Sequence, residues 1–246
     1  MALARFQDLC LDVCDEDTQA EFWAAALGLR RRPGPGDPGV LDGPTPRHAL
    51  WLNTVPEPRT VKHRVHLDVD TESVEALEAL GATVLAPATD EQRWTVMVDP
   101  EGGEFCAFVR PPERLLAYRL YELVVDCADP GPLCRWWGDV LGLPVGHDVE
   151  HDWWWIEAGP EQALPFESMV FVAVPEPKTA KNRLHWDVQT HSVAALVAAG
   201  ATVVGEQPRW TVLADPEGNE FCAFVVDASD PPIAEDPPAA DERVAD

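Results

Sequence analysis

Two short segments carry the side chains best suited to chemistry: RVHLDV at 64–69 and RLHWDV at 183–188. Successive side chains of an extended strand point to opposite faces. Arg64, His66 and Asp68 therefore share one face, as do Arg183, His185 and Asp187, with apolar residues between them on the other. The apolar face is expected against a helix and the polar face toward a cleft. Imidazole exchanges protons near neutral pH, which makes His66 and His185 the candidate catalytic residues. Arg64 and Arg183 suit an anionic or carbonyl group, with Asp68 and Asp187 as binding partners beside them. A reading without a ligand stays open: Arg64 balanced by Asp12 and Asp68 would form a charge network that stitches two sheets together.

The same alternation turns further polar groups inward. Asp8, Cys10, Asp12, Glu104 and Cys106 are expected in a first cleft, and Glu122, Asp126, Glu220 and Cys222 in a second. Cys106 and Cys222 read either as ligand contacts or as small packing residues. Trp94 and Trp210 each open an R-W-T-V segment and are expected to stack on a flat ligand or to pack a core. In the run Trp153 to Trp155, alternation sends at least one ring to the concave side. His48, His63, His147, His151 and His191 have no counterparts and read as loop or surface residues. The G-x-S-x-G, H-E-x-x-H, G-x-G-x-x-G and C-x-x-C patterns are all missing from the sequence.

The elements that position these groups occur twice. DPEGGEFCAFV at 99–109 answers DPEGNEFCAFV at 215–225, and VPEPRTVKHRVHLDV at 55–69 answers VPEPKTAKNRLHWDV at 174–188. Leu27-Gly28-Leu29 answers Leu141-Gly142-Leu143. A repeat this long is a duplicated domain, since solenoid periods run roughly 20–50 residues. In each half an alternating strand (6–13; from 120) precedes a helix, 15–29 and 132–141, closed by Gly28 or Gly142. The pattern then restarts. Strand 64–70, helix 71–80, strand 82–85 and a hairpin across the DPEG turn match strand 183–189, helix 191–199 and hairpin 210–225. Each half is thus two βαβββ units. The boundaries fall at 1–112 and 120–226, with a linker at 113–119 and an acidic Pro/Ala-rich tail at 227–246 expected to be disordered.

Composition narrows the function. A net charge of −25 repels phosphate backbones, so no nucleic-acid partner is expected. No apolar run reaches the roughly 18–20 residues of a membrane span, and MALARFQDLCLDV lacks the form of a signal peptide, which suggests the cytoplasm.

The four units, the LGL after the first helix, the DPEGxEF turn and the K-x-R-[VL]-H-x-D segment together resemble the vicinal oxygen chelate superfamily, in particular its glyoxalase-like branch. That superfamily includes glyoxalase I, bleomycin-resistance proteins and extradiol dioxygenases. The resemblance implies an α+β fold of two tandem glyoxalase-like domains, each made of two βαβββ modules with curled mixed sheets around a cleft. Metal-dependent members place His, Gln or Glu ligands on the first strand of each unit and Glu on each last strand. Carried over, these positions fall on Asp8 and Glu122, on Arg64 and Arg183, and on Cys106 and Cys222; a shift of two residues substitutes His66 and His185. The implied metal candidates are Glu122, His185, Glu220, Asp8 and His66. Arginine is a poor ligand and a thiolate suits a hard ion poorly, so the usual divalent site is expected to be altered and no cofactor is assigned. The expected function is binding of a small planar or carbonyl-containing metabolite, by a monomer or homodimer. The alternatives are a metal-dependent lyase, isomerase or dioxygenase, and a non-catalytic structural or regulatory module.

Overall fold

Four βαβββ modules follow one another along the chain in the computed structural model, which describes residues 2–33, 39–159 and 163–227. The first comprises β1 (Ala4–Val13), α1 (Glu16–Leu27), β2 (Arg30–Arg31), β3 (Gly39–Asp42) and β4 (Leu50–Thr54). The second comprises β5 (Val65–Thr71), α2 (Val74–Ala79), β6 (Thr83–Ala86), β7 (Thr95–Val98) and β8 (Glu104–Val109). The third comprises β9 (Leu120–Cys127), α3 (Pro130–Leu141), β10 (Val145–Asp148), β11 (Trp153–Glu157) and β12 (Ser168–Ala173). The fourth comprises β13 (Leu184–Thr190), α4 (Val193–Ala198), β14 (Thr202–Glu206), β15 (Thr211–Ala214) and β16 (Glu220–Val225). Nearly all of the acidic tail lies outside the described residues.

Local chemistry sets the helix ends. Asp15 caps α1 by accepting from the Thr18 amide, and Ser73 and Ser192 cap α2 and α4 in the same way. These serines start the short helices later than the apolar pattern suggests. Gly28 closes α1 at φ +71°, where a Cβ would run into the Ala117 carbonyl oxygen. The linker is thus packed against the end of the first helix.

The DPEG turns work as clips. Asp99 Oδ1 accepts the Glu101 and Gly103 amides, and Asp215 Oδ1 accepts those of Glu217 and Asn219. The Glu101 carboxylate then takes the amides of Cys14 and Asp15 just before α1. Glu217 takes those of Ala128 and Asp129 before α3. Glu101→Ala leaves two amides without their acceptor and is expected to cost about 1–2 kcal/mol in a urea melt, with Glu217→Ala close to it. No measurable loss in either variant would show that water replaces the clip.

The sheets cross the boundary between the repeats. One sheet runs β14-β15-β16-β13-β1-β4-β3-β2 and joins the first module to the fourth; the other runs β10-β11-β12-β9-β5-β8-β7-β6 and joins the second to the third. Both sheets are curled but unclosed. β1 pairs antiparallel with β13, and β5 with β9. This corrects the expected grouping of cleft residues. Asp8, Cys10 and Asp12 share a sheet with His185, Asp187, Glu220 and Cys222, while Glu104 and Cys106 share one with Glu122 and Asp126. The physical cause is that RVHLDV and RLHWDV present nearly identical edges to β1, so strand patterning cannot choose between them.

Candidate functional site

Side-chain facing along β5 and β13 follows the alternation, with both faces largely buried. Val65, Leu67 and Val69 lie in the core with Leu184, Trp186 and Val188, and the His and Asp side chains occupy the face away from the helices. There each half-pattern meets donors from the other sheet strands. In the first sheet, Cys10, His185 and Asp187 bring ligand-type atoms within 4.8 Å of one another; in the second, His66, Asp68 and Cys106 do the same. Cys222 Sγ lies 3.6 Å from His185 Nε2, and His66 Nε2 lies 3.6 Å from Asp68 Oδ1. Asp8 sits directly across from Asp187, and Glu122 across from Asp68.

Desolvation dictates the electrostatics. It pulls both His66 and His185 down to about 4, so both are neutral at pH 7. It lifts Asp68 well above the ordinary carboxylate range, with the Glu122 charge adding to the effect. Burial also raises the Asp8–Asp187 pair, and lifts Glu122 to about 7 although the Ser168 hydroxyl donates to it. The Cys106 and Cys222 thiols are pushed far up by the same burial. Both clusters thus place carboxyls and thiols whose burial favours the protonated form around a neutral imidazole.

The two faces differ in what covers them. In the first sheet Trp51, in register with Cys10, donates its indole N–H to Asp8 Oδ2 at 2.9 Å, and Arg32 lies over the Trp51 ring. The register equivalent in the second sheet is Val170, opposite Val124, while Asp68 and Cys106 are as buried as Asp187 and Cys222. The second-sheet face is rimmed by a chain of rings. Trp94 stacks on Phe108 (5.9 Å) and meets Trp153 (6.4 Å), and Phe108 meets Tyr121 (5.2 Å). Arg110 spans Phe108 and Tyr121 and is paired with Asp70. Trp153 is 43% exposed, whereas Trp154 turns toward α3 and lies under Arg135. On the first sheet Trp210 has, among the described residues, Phe224 as its one ring neighbour.

The profile of the glyoxalase-like domain matches residues 8–108 and again 122–224. The chain belongs to the glyoxalase-like domain family. Glyoxalase I from Zea mays shares the fold at a TM-score of 0.65 with 14% identity, over 90% of this chain and 92% of that one. A putative dioxygenase from Bacillus subtilis aligns at 0.63 with 12% identity, over 94% and 86%. No curated protein sequence matches the chain significantly. At such identities the likeness establishes the fold, and this chain's own residues must carry any argument about chemistry.

Whether this glyoxalase-like chain suits a metal can be tested on its polar atoms. Asp68 Oδ1 and Asp187 Oδ1 are buried without a hydrogen-bond partner, as is Asp8 Oδ1. Neutral imidazole, carboxylate and thiolate form the mixed N, O, S set that a zinc-class ion takes. The residues therefore fit such an ion, in place of the His/Gln/Glu set the resemblance implies. The outer support is thin, because Nδ1 of His66 and of His185 is also buried without a partner.

The remaining sequence candidates go elsewhere. Glu220 is held by Lys178 and the Asn182 amide, and Glu104 by Arg59 and the His63 amide, so both organise the loops before β13 and β5. Arg64 donates to the carbonyls of Glu176 and Asp126, and Arg183 to that of Glu57, which ties each loop to the opposite half. Neither arginine joins a His/Asp/Cys cluster. Sequence reasoning turned Cys10 toward the first cleft and set Trp51 on a strand leading to a cleft without joining either to His185 or Asp8, and it passed over Ser168; none of the three has a matched counterpart in the repeat. It also passed over Lys62 and Lys181, although all three lysines of the chain fall in the two repeated loops.

Among the described residues no helix is long and apolar enough to cross a membrane.

Proposed function

We propose that this glyoxalase-like protein binds a small planar or carbonyl-containing molecule on the ring-lined face of the second sheet. The observation that carries this reading is the chain of rings Trp153, Trp94, Phe108 and Tyr121 bordering a polar floor of His66, Asp68, Cys106 and Glu122. Rings of this kind stack on a flat molecule, while the neutral His66 can donate to a carbonyl oxygen beside Asp68, whose burial favours its acid form. The first sheet, closed by Trp51 on Asp8, acts in this reading as a scaffold. Titration with flavone, followed by tryptophan fluorescence, tests it. Saturable quenching is expected, weakened about tenfold by Trp94→Ala or Trp153→Ala and unchanged by Trp210→Ala. Equal losses in all three variants, or no saturation, would remove the second-sheet face as the site.

A second reading, a metal-dependent glyoxalase-like lyase, isomerase or dioxygenase, is favoured by the buried oxygens left without partners in both clusters. Cys10, His185 and Asp187 would hold one ion, and His66, Asp68 and Cys106 another. Such an ion supplies Lewis-acid polarisation of a substrate oxygen. Glu122, held near 7 by burial, is then the residue placed to take or return a proton. Metal content after loading with zinc separates the two readings, and retention lost in both His66→Ala and His185→Ala supports the second.

A further inference from the structure

A cavity lies away from the ring-lined face, between the two repeated loops. It measures ≈ 640 Å³ and is lined symmetrically by residues 55–64 of one half and 174–183 of the other, with Asp12 and Asp126 at the ends of β1 and β9. Matched pairs face each other across it: Arg64 and Arg183, Lys62 and Lys181, Glu57 and Glu176. Six of the 18 Lys and Arg residues fall in 59–64 and 178–183, in a chain with 43 acidic residues. The cavity lining has five cations, Arg59, Lys62, Arg64, Lys181 and Arg183, against four carboxylates, so the sign of the balance reverses locally.

Three of those cations are neutralised within the protein. Lys62 pairs with Asp126, Lys181 with Asp12 and Arg59 with Glu104. Arg64 has no carboxylate partner among the described residues, and Arg183 has a longer, shared one. Among the described residues Arg64 meets only the carbonyls of Glu176 and Asp126, and its Nε is buried without a partner. Arg183 meets the Glu57 carbonyl and the Cys14 sulfur. Its nearest carboxylate, Glu101 at 3.5 Å, already accepts the Cys14 and Asp15 amides. A guanidinium whose carboxylate is missing, as at Arg64, or shared with two backbone amides, as at Arg183, can take a further planar carboxylate. The exposed Glu57 and Glu176 carboxylates stand at the same cavity and disfavour a highly charged anion such as a polyphosphate.

We propose that this cavity is a binding site for a small organic dicarboxylate, one carboxylate on Arg64 and the other on Arg183. The volume falls within the range of ordinary small-molecule sites, and the matched loops offer the same recognition group from each side. Bound there, the ligand would tie the two halves together across their pseudo-two-fold axis. The site stands independently of the reading above, since none of the rings and neither histidine of the clusters lines it.

Calorimetric titration of the full chain with glutarate and adipate tests the proposal, with inorganic phosphate as the competing anion. The expected result is one saturable site per chain with Kd below about 1 mM, weakened at least about tenfold in Arg64→Gln and Arg183→Gln. Those arginines also brace the loops, so Thr179→Trp, which fills the cavity and keeps both guanidiniums, provides the second variant and is expected to abolish binding. Tryptophan quenching by flavone should be unaffected in Thr179→Trp, which keeps this result separate from that of the second-sheet face. No saturable binding of either dicarboxylate, equal binding of phosphate, or binding that survives Thr179→Trp would overturn the proposal.

Discussion

Chelator-treated protein is expected to lose about 2 kcal/mol or more of stability between pH 6.5 and 8. The carboxyls responsible are Glu122, lifted to about 7, Asp68, and the Asp8–Asp187 pair, all raised chiefly by burial. Their unfolded values lie near 4, so across this window the fold holds protons that the unfolded chain has released. Stability therefore falls as pH rises. His66 and His185 act in the opposite sense, because their folded values near 4 lie below the unfolded one. Their contribution is confined to pH below about 6.5, where the two effects offset each other. Urea melts at the two pH values measure the loss, and Asp187→Asn should remove much of it. Adding zinc should flatten the profile if the clusters hold the ion, because a cation keeps these carboxylates ionised. A flat profile without metal would mean that the acids are already ionised in the fold and that the clusters are wetter than their burial indicates.

Trp137→Ala should cost about 3–5 kcal/mol. Trp137 on α3 is fully buried and meets Trp136 (4.8 Å), Trp186 (4.8 Å) and Phe221 (4.9 Å) edge-on. Its indole N–H donates to Asp215 Oδ2 at 3.1 Å, the aspartate that opens the second DPEG turn. The substitution removes the ring and one donor to a buried carboxylate at once. Its counterpart on α1, eight residues after the capping Asp15 as Trp137 is after Asp129, is Trp23, which packs on Phe22 and Phe105. The Trp23 N–H has no partner. Trp23→Ala should therefore cost about 1 kcal/mol less than Trp137→Ala, and Trp23→Phe should be milder than Trp137→Phe. Guanidinium melts decide this, and the reverse order would show that ring packing outweighs the hydrogen bond.

Much of the local structure was legible because it depends on neighbours in the chain. Asp15 and Gly28 mark the ends of α1 through capping and a left-handed turn, and Asp99 folds the DPEG turn onto amides two and four residues away. The polar face of β5 and β13 follows from a period of two. Such interactions are short in sequence, so residue order alone specifies them.

Sequence by itself determined the duplicated glyoxalase-like fold, the four βαβββ modules, and the face on which His66, Asp68, His185 and Asp187 lie. Only the tertiary structure decided which modules share a sheet, and with it which donors meet. His185 joins Cys10 from the other half, and His66 lies across from Val124. The structure also moved Arg64 and Arg183 out of the clusters and into one shared cavity, and closed one face with Trp51 while leaving the other ringed by aromatics. The reason is that a duplicated sequence offers each strand two nearly equivalent partners. Contacts between residues more than a hundred positions apart, such as Arg64 with Glu176, choose between them, and no local pattern encodes that choice.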